Sequence, residues 1–359
     1  MNEIDESVPS APTPIPLQEV LDALLDTETP LPPRYLYRFS DLEPDDLVAL
    51  KAIWEQIPTW RRKALLEDLE QLFGDDYLLS FEAIGRLGLE DPEAEVRFLS
   101  IRSLFEYDTE DLIPVFLNLV VNDEQEDVRA VSATVLGKYV YEGEIDEIPQ
   151  KTLRQIEDQL LAVTQGTDTM LVRRRALEAL GFSNRDELPG LIEKAFNHTE
   201  YDWVVSATFA MGRSCDKRWE EHVLKMLDHV LPVVRTEAAR AAGGIEISEA
   251  VDRLIELLDD DNEDVRLASA WSLSQIGGEG VQEALDMMLR ETDVAEQADF
   301  IESAIDNLIF NQGVQFYGIM DYHQGEGDID DNTDAGFDFD DEEDVYDYTV
   351  GYDDEDYPD

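Results

Sequence analysis

The sequence has a single cysteine in 359 residues, Cys215, so no intrachain disulfide can form. One thiol fits a reducing, cytoplasmic setting. Basic residues are also scarce: 27 Lys and Arg stand against 84 Asp and Glu, a formal net charge of −57. That balance argues against wrapping DNA or RNA, which rests on neutralising phosphate, and against anionic membrane surfaces. No apolar run reaches the roughly 20 residues of a spanning helix. The opening MNEIDESVPS is acidic and lacks the apolar core of a signal peptide. HExxH, CxxC and a Gly-rich phosphate loop are all missing. The sequence offers no catalytic, cofactor or metal site, and a non-enzymatic protein is expected.

What the chain does have is a period. In DDNEDVRLASAWSLSQIGG, which begins at Asp260, take Val265 as position zero. Val96, Val128, Val172, Trp203 and Val234 occupy the same place upstream, at successive spacings of 32, 44, 31, 31 and 31 residues. Plus four is small in every copy: Ser100, Ser132, Ala176, Ala207, Ala238 and Ser269. Plus eight is apolar: Leu104, Leu136, Leu180, Met211, Ala242 and Leu273. Positions zero, four and eight fall on one stripe of a helix. Plus nine is Gly137, Gly181, Gly212 and Gly243 in four copies, which predicts a C-cap or tight exit there. A second apolar run, such as LPGLIEKAF or VDRLIELL, precedes each zero. The unit is therefore helix, turn, helix. One pair cannot bury its own stripe, so the pairs must stack into an all-α solenoid.

These residues resemble the HEAT repeat, in particular the short variety also found in bilin lyases. In that family an Asp precedes the second helix and a Val-Arg pair opens it. Here the Asp stands five before zero as Asp91, Asp123 and Asp260, and the Arg follows zero as Arg97, Arg129, Arg173, Arg235 and Arg266. The resemblance implies an Asp–Arg ladder tying repeat to repeat. The pattern departs at Thr167, His198 and His229, which replace the Asp, and at Val204, which replaces an Arg. The iron-dependent hydroxylase built on similar repeats uses His-Glu pairs, and no histidine here is followed by Glu. His198 and His229 sit in successive repeats, spaced too widely to share one zinc, and read as structural.

The chain divides into four parts. Residues 1–39 are an acidic, Pro-rich segment carrying a short amphipathic helix, LQEVLDALL, read as packing on the protein's own first repeats rather than on a partner. Residues 40–74 form a capping hairpin, with Ser40 and Glu43 as a capping box and Trp54 in its core. The repeats occupy 75–310, with an inserted loop near Tyr141 to Gln150 and a terminal pair over Val281–Leu289 and Val294–Phe310. Residues 311–359 read as a disordered tail: eighteen acids fall between Asp321 and Asp359, no Lys or Arg follows Glu291, and aromatics are spaced among them. Within it, Asp330 to Asp341 partly matches an EF-hand loop, but Ala335 stands where that loop requires Gly.

Charge gives the sharper clue to function. From Val172 to Arg240 eleven basic residues meet eleven acidic ones, so the centre is neutral between acidic flanks. Arg174, Arg175, Arg213, Lys217 and Arg218 are the candidate partner-binding residues, with Arg174, Arg175, Lys217 and Arg218 expected to face solvent and the tail to compete for them. Cys215 lies among these cations and reads as a plain inter-helix cysteine rather than an activated thiol. The function these features support is a protein-binding scaffold with no nucleic-acid or membrane partner. Two alternatives stand beside it: a chromophore handler, implied only by the bilin-lyase-like repeat subtype, and a chaperone or nucleic-acid mimic binding basic proteins through the tail.

Overall fold

The computed structural model describes residues 15–107 and 109–322, with backbone alone for Asp75 and 312–322. The segment 1–14, the tail beyond Tyr322 and the stretch Asp330–Asp341 within it lie outside the described residues. Among the described residues every regular element is helical. The chain forms two compact units, Met1–Ala179 and Leu180–Asp359. The first holds α1 (Leu17–Leu25), α2 (Pro44–Ile53), α3 (Thr59–Asp75), α4 (Glu82–Gly88), α5 (Ala94–Ser103), α6 (Ile113–Asn122), α7 (Glu126–Glu144), α8 (Gln150–Gln165) and α9 (Met170–Ala179). The second holds α10 (Leu188–Phe196), α11 (Tyr201–Arg213), α12 (Glu220–Met226), α13 (Pro232–Ile245), α14 (Val251–Leu257), α15 (Glu263–Ile276), α16 (Val281–Glu291) and α17 (Ala295–Tyr322).

The stripe read from the sequence is the core. Every plus-four residue is fully buried, as are Val96, Val128, Val172, Val234 and Val265 at zero. Each of the six plus-eight residues is buried as well. In the first unit the second helices of the pairs, α3, α5, α7 and α9, pack side by side; in the second unit α11, α13, α15 and α17 do so. α1 folds back as expected, burying Val20, Leu21 and Leu24 in a cluster with Phe39, Leu50 and Trp54.

Four local expectations are corrected. Gly212 and Gly243 lie inside α11 and α13 rather than capping them. Their role is size: a Cβ on Gly212 would stand 2.9 Å from Ala241 Cα, and one on Gly243 would stand 3.0 Å from Ser272 Cα. Ser40 does not cap α2. Pro44 opens that helix with Glu43 at the N-cap, as proline's fixed φ favours. Ser40 Oγ instead accepts the Ser80 N–H at 3.0 Å. The wide 44-residue spacing is taken up mainly by longer helices, since α7 has 19 residues and α8 has 16. Finally, α17 continues beyond Phe310 to Tyr322 and so enters the segment read as tail.

The ladder is present, and its geometry repeats. Arg97 makes a bidentate pair with Asp123, both bonds 2.8 Å, and a third bond to its own turn through the Asp91 carbonyl. Arg235 does the same with Asp260 and the His229 carbonyl. Arg129 pairs with Asp168 at 2.9 and 2.8 Å. Thr167 is therefore no gap, because the carboxylate has moved one residue on. Each aspartate at minus five also accepts the N–H two residues later: Glu93 to Asp91, Gln125 to Asp123, Asn262 to Asp260. His198 and His229 keep that second task, their Nδ1 atoms accepting from Glu200 N and Leu231 N at 3.1 Å. A ring nitrogen accepts only when it carries no proton. The histidines thus hold the turn but offer no charge to an arginine.

The Arg129 hydrogen bonds hold the Asp168 carboxyl below its ordinary value of 3.8, against a smaller upward push from burial. A lowered carboxyl contributes stability above its unfolded pKa and loses it as pH falls through the folded one. Arg129→Ala should cost about 1–3 kcal/mol near neutral pH. Its melting temperature should converge on that of the wild type as pH drops below about 4. An unchanged melting temperature at neutral pH would show that the rung is not structural.

One rung is missing on both sides at once: Val204 stands in the arginine place, and its counterpart turn carries His229. Val204→Arg alone should destabilise, because a half-buried cation meets no carboxylate. Val204→Arg with His229→Asp should recover stability, with a coupling of about 0.5–3 kcal/mol in a double-mutant cycle. Strict additivity would refute the ladder's geometry at this position.

Candidate interaction surface

The five basic residues singled out from sequence divide between the two units. Arg174 is buried and Arg175 is half-buried, its Nη1 2.7 Å from Glu178 Oε2. The expectation that these two face solvent is corrected: packing on most sides of the helix buries Arg174 and half-covers Arg175. Lys217 and Arg218 are exposed, and Arg218 is held by Asp216 at the start of a short turn. Cys215 is exposed with φ 49°. Partial desolvation of the sulfur, then the charge of Glu246, push its thiol upward, the opposite of activation by the nearby cations.

Arg213 has a different setting. Its guanidinium lies 4.2 Å from the Phe209 ring centroid and 4.7 Å from that of Phe182. Both rings attract the cation through their faces. The Phe209 position, plus six of the repeat, proves informative. The equivalent residues on α13 and α15 are Arg240 and Trp271. Plus five is fully buried in all three helices (Thr208, Ala239, Ala270), and plus seven is buried too (Ala210, Ala241, Ser272). Phe209, Arg240 and Trp271 nonetheless remain half-exposed, so they point off the packed side. Arg240 keeps 23% of its side chain exposed and pairs with Glu237 of its own helix at 3.9 Å.

The helices carrying these residues are packed tightly. Ser272 Oγ donates to the Ala239 carbonyl at 2.7 Å, joining α15 to α13. Gly212 gives α11 its close approach to Ala241 of α13. Successive side chains of the column therefore step across the helices at about 8–10 Å. Trp271 meets Phe300 of α17 at 5.9 Å between ring centroids. The result is a stripe of rings and cations across four neighbouring helices of the second unit, ending on the helix that leads into the acidic tail. Of its members, sequence reading had singled out only Arg213. The others carry no mark of their own in the sequence, and the burial of their neighbours at plus five and plus seven is what sets them apart.

Among the described residues no group of three or more His, Cys, Asp or Glu side chains is placed to hold a metal, and no helix is long and apolar enough to cross a membrane. No curated protein matches the chain. Among solved structures it is similar to YibA of E. coli, at 20% identity and a TM-score of 0.38, over 66% of this chain and 95% of that one. It is similar to importin beta at 13% and 0.41, over 81% of this chain and 46% of that one. Human deoxyhypusine hydroxylase stands at 14% and 0.34, over 82% and 96%. The family model of HEAT repeats matches residues 220–304. That match spans the turns joined by Arg235 and Asp260, the same rung that recurs at Arg97 and Arg129, and over residues 220–304 the chain is built of HEAT repeats.

Proposed function

We propose that this chain is a non-catalytic scaffold that binds a protein partner across the second helices of its repeats in the second unit, in a cytoplasmic setting suggested by its single cysteine. The stripe of Phe209, Arg213, Arg240 and Trp271 carries the reading. Aromatic and arginine side chains are the residue types that dominate binding energy at protein interfaces. Rings beside cations suit a partner segment that presents carboxylates and apolar or aromatic side chains on the same side. A chain of this net charge repels acidic proteins elsewhere on its surface, so two cations flanked by rings give local selectivity.

The test is quantitative capture from the source cell, comparing wild type with Arg213→Glu/Arg240→Glu and with Lys225→Glu, an exposed residue of α12. The stripe variant should lose the captured partner and the α12 variant should keep it. Equal capture by all three would remove the stripe as the binding surface.

A further inference from the structure

Among the described residues α17 is the last helix of the array. Each second helix before it in this unit has a successor: α11 packs on α13, α13 on α15 and α15 on α17. α17 packs on α15 and α16, burying Ile301, Ala304 and Leu308. Glu302, Asp306, Ile309 and Phe310 stand at i, i+4, i+7 and i+8, one face of the helix. All four are exposed, Ile309 by 51% and Phe310 by 68%. A terminal repeat needs a polar outer face. This face is polar at Glu302 and Asp306 and then turns apolar.

The apolar part lies where the neighbouring helix runs out. Asn307 and Asn311 reach Ser274, two residues before α15 ends at Ile276, while the backbone of α17 continues as helix to Tyr322. Residues 307–320 carry no charge, in a chain where 31% of residues are Asp, Glu, Lys or Arg. A large exposed ring on such a stretch marks a contact surface rather than a solvated end.

The surrounding charge selects the kind of partner. Glu296, Asp299, Glu302 and Asp306 precede the uncharged stretch, Asp321 follows it, and no Lys or Arg comes after Arg290. A second copy would set these acids against their own kind, which is costly at an interface. Residues 1–14 and 323–359 of this chain hold no Lys or Arg, so neither segment supplies the opposite charge. We propose that the outer face of α17, centred on Ile309 and Phe310, binds a basic amphipathic helix of another protein. The apolar stripe of that helix covers Ile309 and Phe310, and its Lys or Arg residues one to two turns along meet Asp306 and Glu302. The incoming helix takes the place of a next helix of the array, about 8–10 Å from α17. This surface is separate from the stripe. Ile309 is nine residues, or two and a half turns, from Phe300 and so stands on the opposite side of α17.

The test measures fluorescence anisotropy of a labelled Leu/Lys amphipathic helical peptide against the full chain, with a Leu/Glu peptide of the same pattern as control. Wild type should bind the first peptide and not the second. Ile309→Ser/Phe310→Ser should weaken binding by about tenfold or more. Val230→Ser, which removes an apolar side chain that is 84% exposed elsewhere, should change it by less than about twofold. Both variants keep the net charge, so the general attraction of a cation to an acidic protein is the same in all three proteins. Glu302→Gln/Asp306→Asn should weaken binding more than Glu249→Gln/Asp252→Asn, which removes the same charge from two exposed residues outside the face. Unchanged affinity in Ile309→Ser/Phe310→Ser, or equal effects of the two charge variants, would overturn the proposal. Self-association seen by sedimentation velocity and abolished by Ile309→Ser/Phe310→Ser would assign the face to a second copy and overturn it as well. Arg213→Glu/Arg240→Glu should leave peptide binding unreduced, so this proposal and the stripe reading can each fail alone.

Discussion

Asp91→Ala is expected to destabilise the N-terminal unit by about 3–5 kcal/mol, the range found when one member of a buried ion pair is removed. Asp91 is fully buried at its side chain, and Arg62 is 4% exposed. The carboxylate receives Arg62 Nη2 at 3.1 Å, the Trp54 indole N–H at 2.7 Å and the Glu93 N–H at 2.9 Å. Arg62 Nε is also 2.9 Å away but makes no hydrogen bond. Truncation would strand a guanidinium in the core and leave two other donors without an acceptor. The remaining bonds of Arg62, to the Trp54 and Ile57 carbonyls, satisfy hydrogens but supply no full counter-charge. Asp91→Asn should fall between wild type and alanine, because its side-chain oxygen can still accept. Denaturant titration of the three proteins checks the order, and a loss below about 1 kcal/mol for Asp91→Ala would place this pair with ordinary surface bridges.

Gly212→Ala is expected to cost about 1–3 kcal/mol, the usual range for overpacking, even though alanine is the better helix former by about 1 kcal/mol. The added Cβ would stand 2.9 Å from Ala241 Cα and 3.1 Å from its Cβ, and backbone cannot rotate aside as a side chain can. Gly190 of α10 is the control, since a Cβ there meets nothing within 4 Å. Gly190→Ala should be neutral or stabilising by up to about 1 kcal/mol. Similar melting temperatures for the two variants would mean that α11 and α13 separate at little cost, and that size is not why glycine occupies position 212.

These two sites differ in how far the sequence revealed them. The stripe at zero, four and eight was legible because burial on a packed face imposes the same demand in every copy. The Arg62–Asp91 rung was not. In that repeat the residue before the ladder arginine is Arg61, not an apolar one, so the Val-Arg signature is absent although the partner Asp91 stands in its usual place. Glycine at plus nine was legible as a special position, but its reason was misread. Glycine serves both where φ must be positive and where no Cβ fits, and a sequence does not distinguish the two. Among the described residues the glycines with positive φ are Gly277, Gly278 and Gly280, beyond the end of α15.

The candidate surface was the least legible part. Clustering of positive charge drew attention to Arg174 and Arg175, which packing buries or pairs. The plus-six column looks unremarkable as a string, since it reads Arg102, Thr134, Glu178, Phe209, Arg240, Trp271. Only the burial of the residues on either side shows that this column leaves the packed surface in the second unit.

A photo-crosslinking amino acid placed singly at Phe209, Arg240 or Trp271, and for comparison at the exposed Glu249, tests the central claim most directly. In extracts of the source cell, the three stripe positions should crosslink one common partner and Glu249 should not. A partner captured at Glu249 and at none of the three stripe positions would contradict the account.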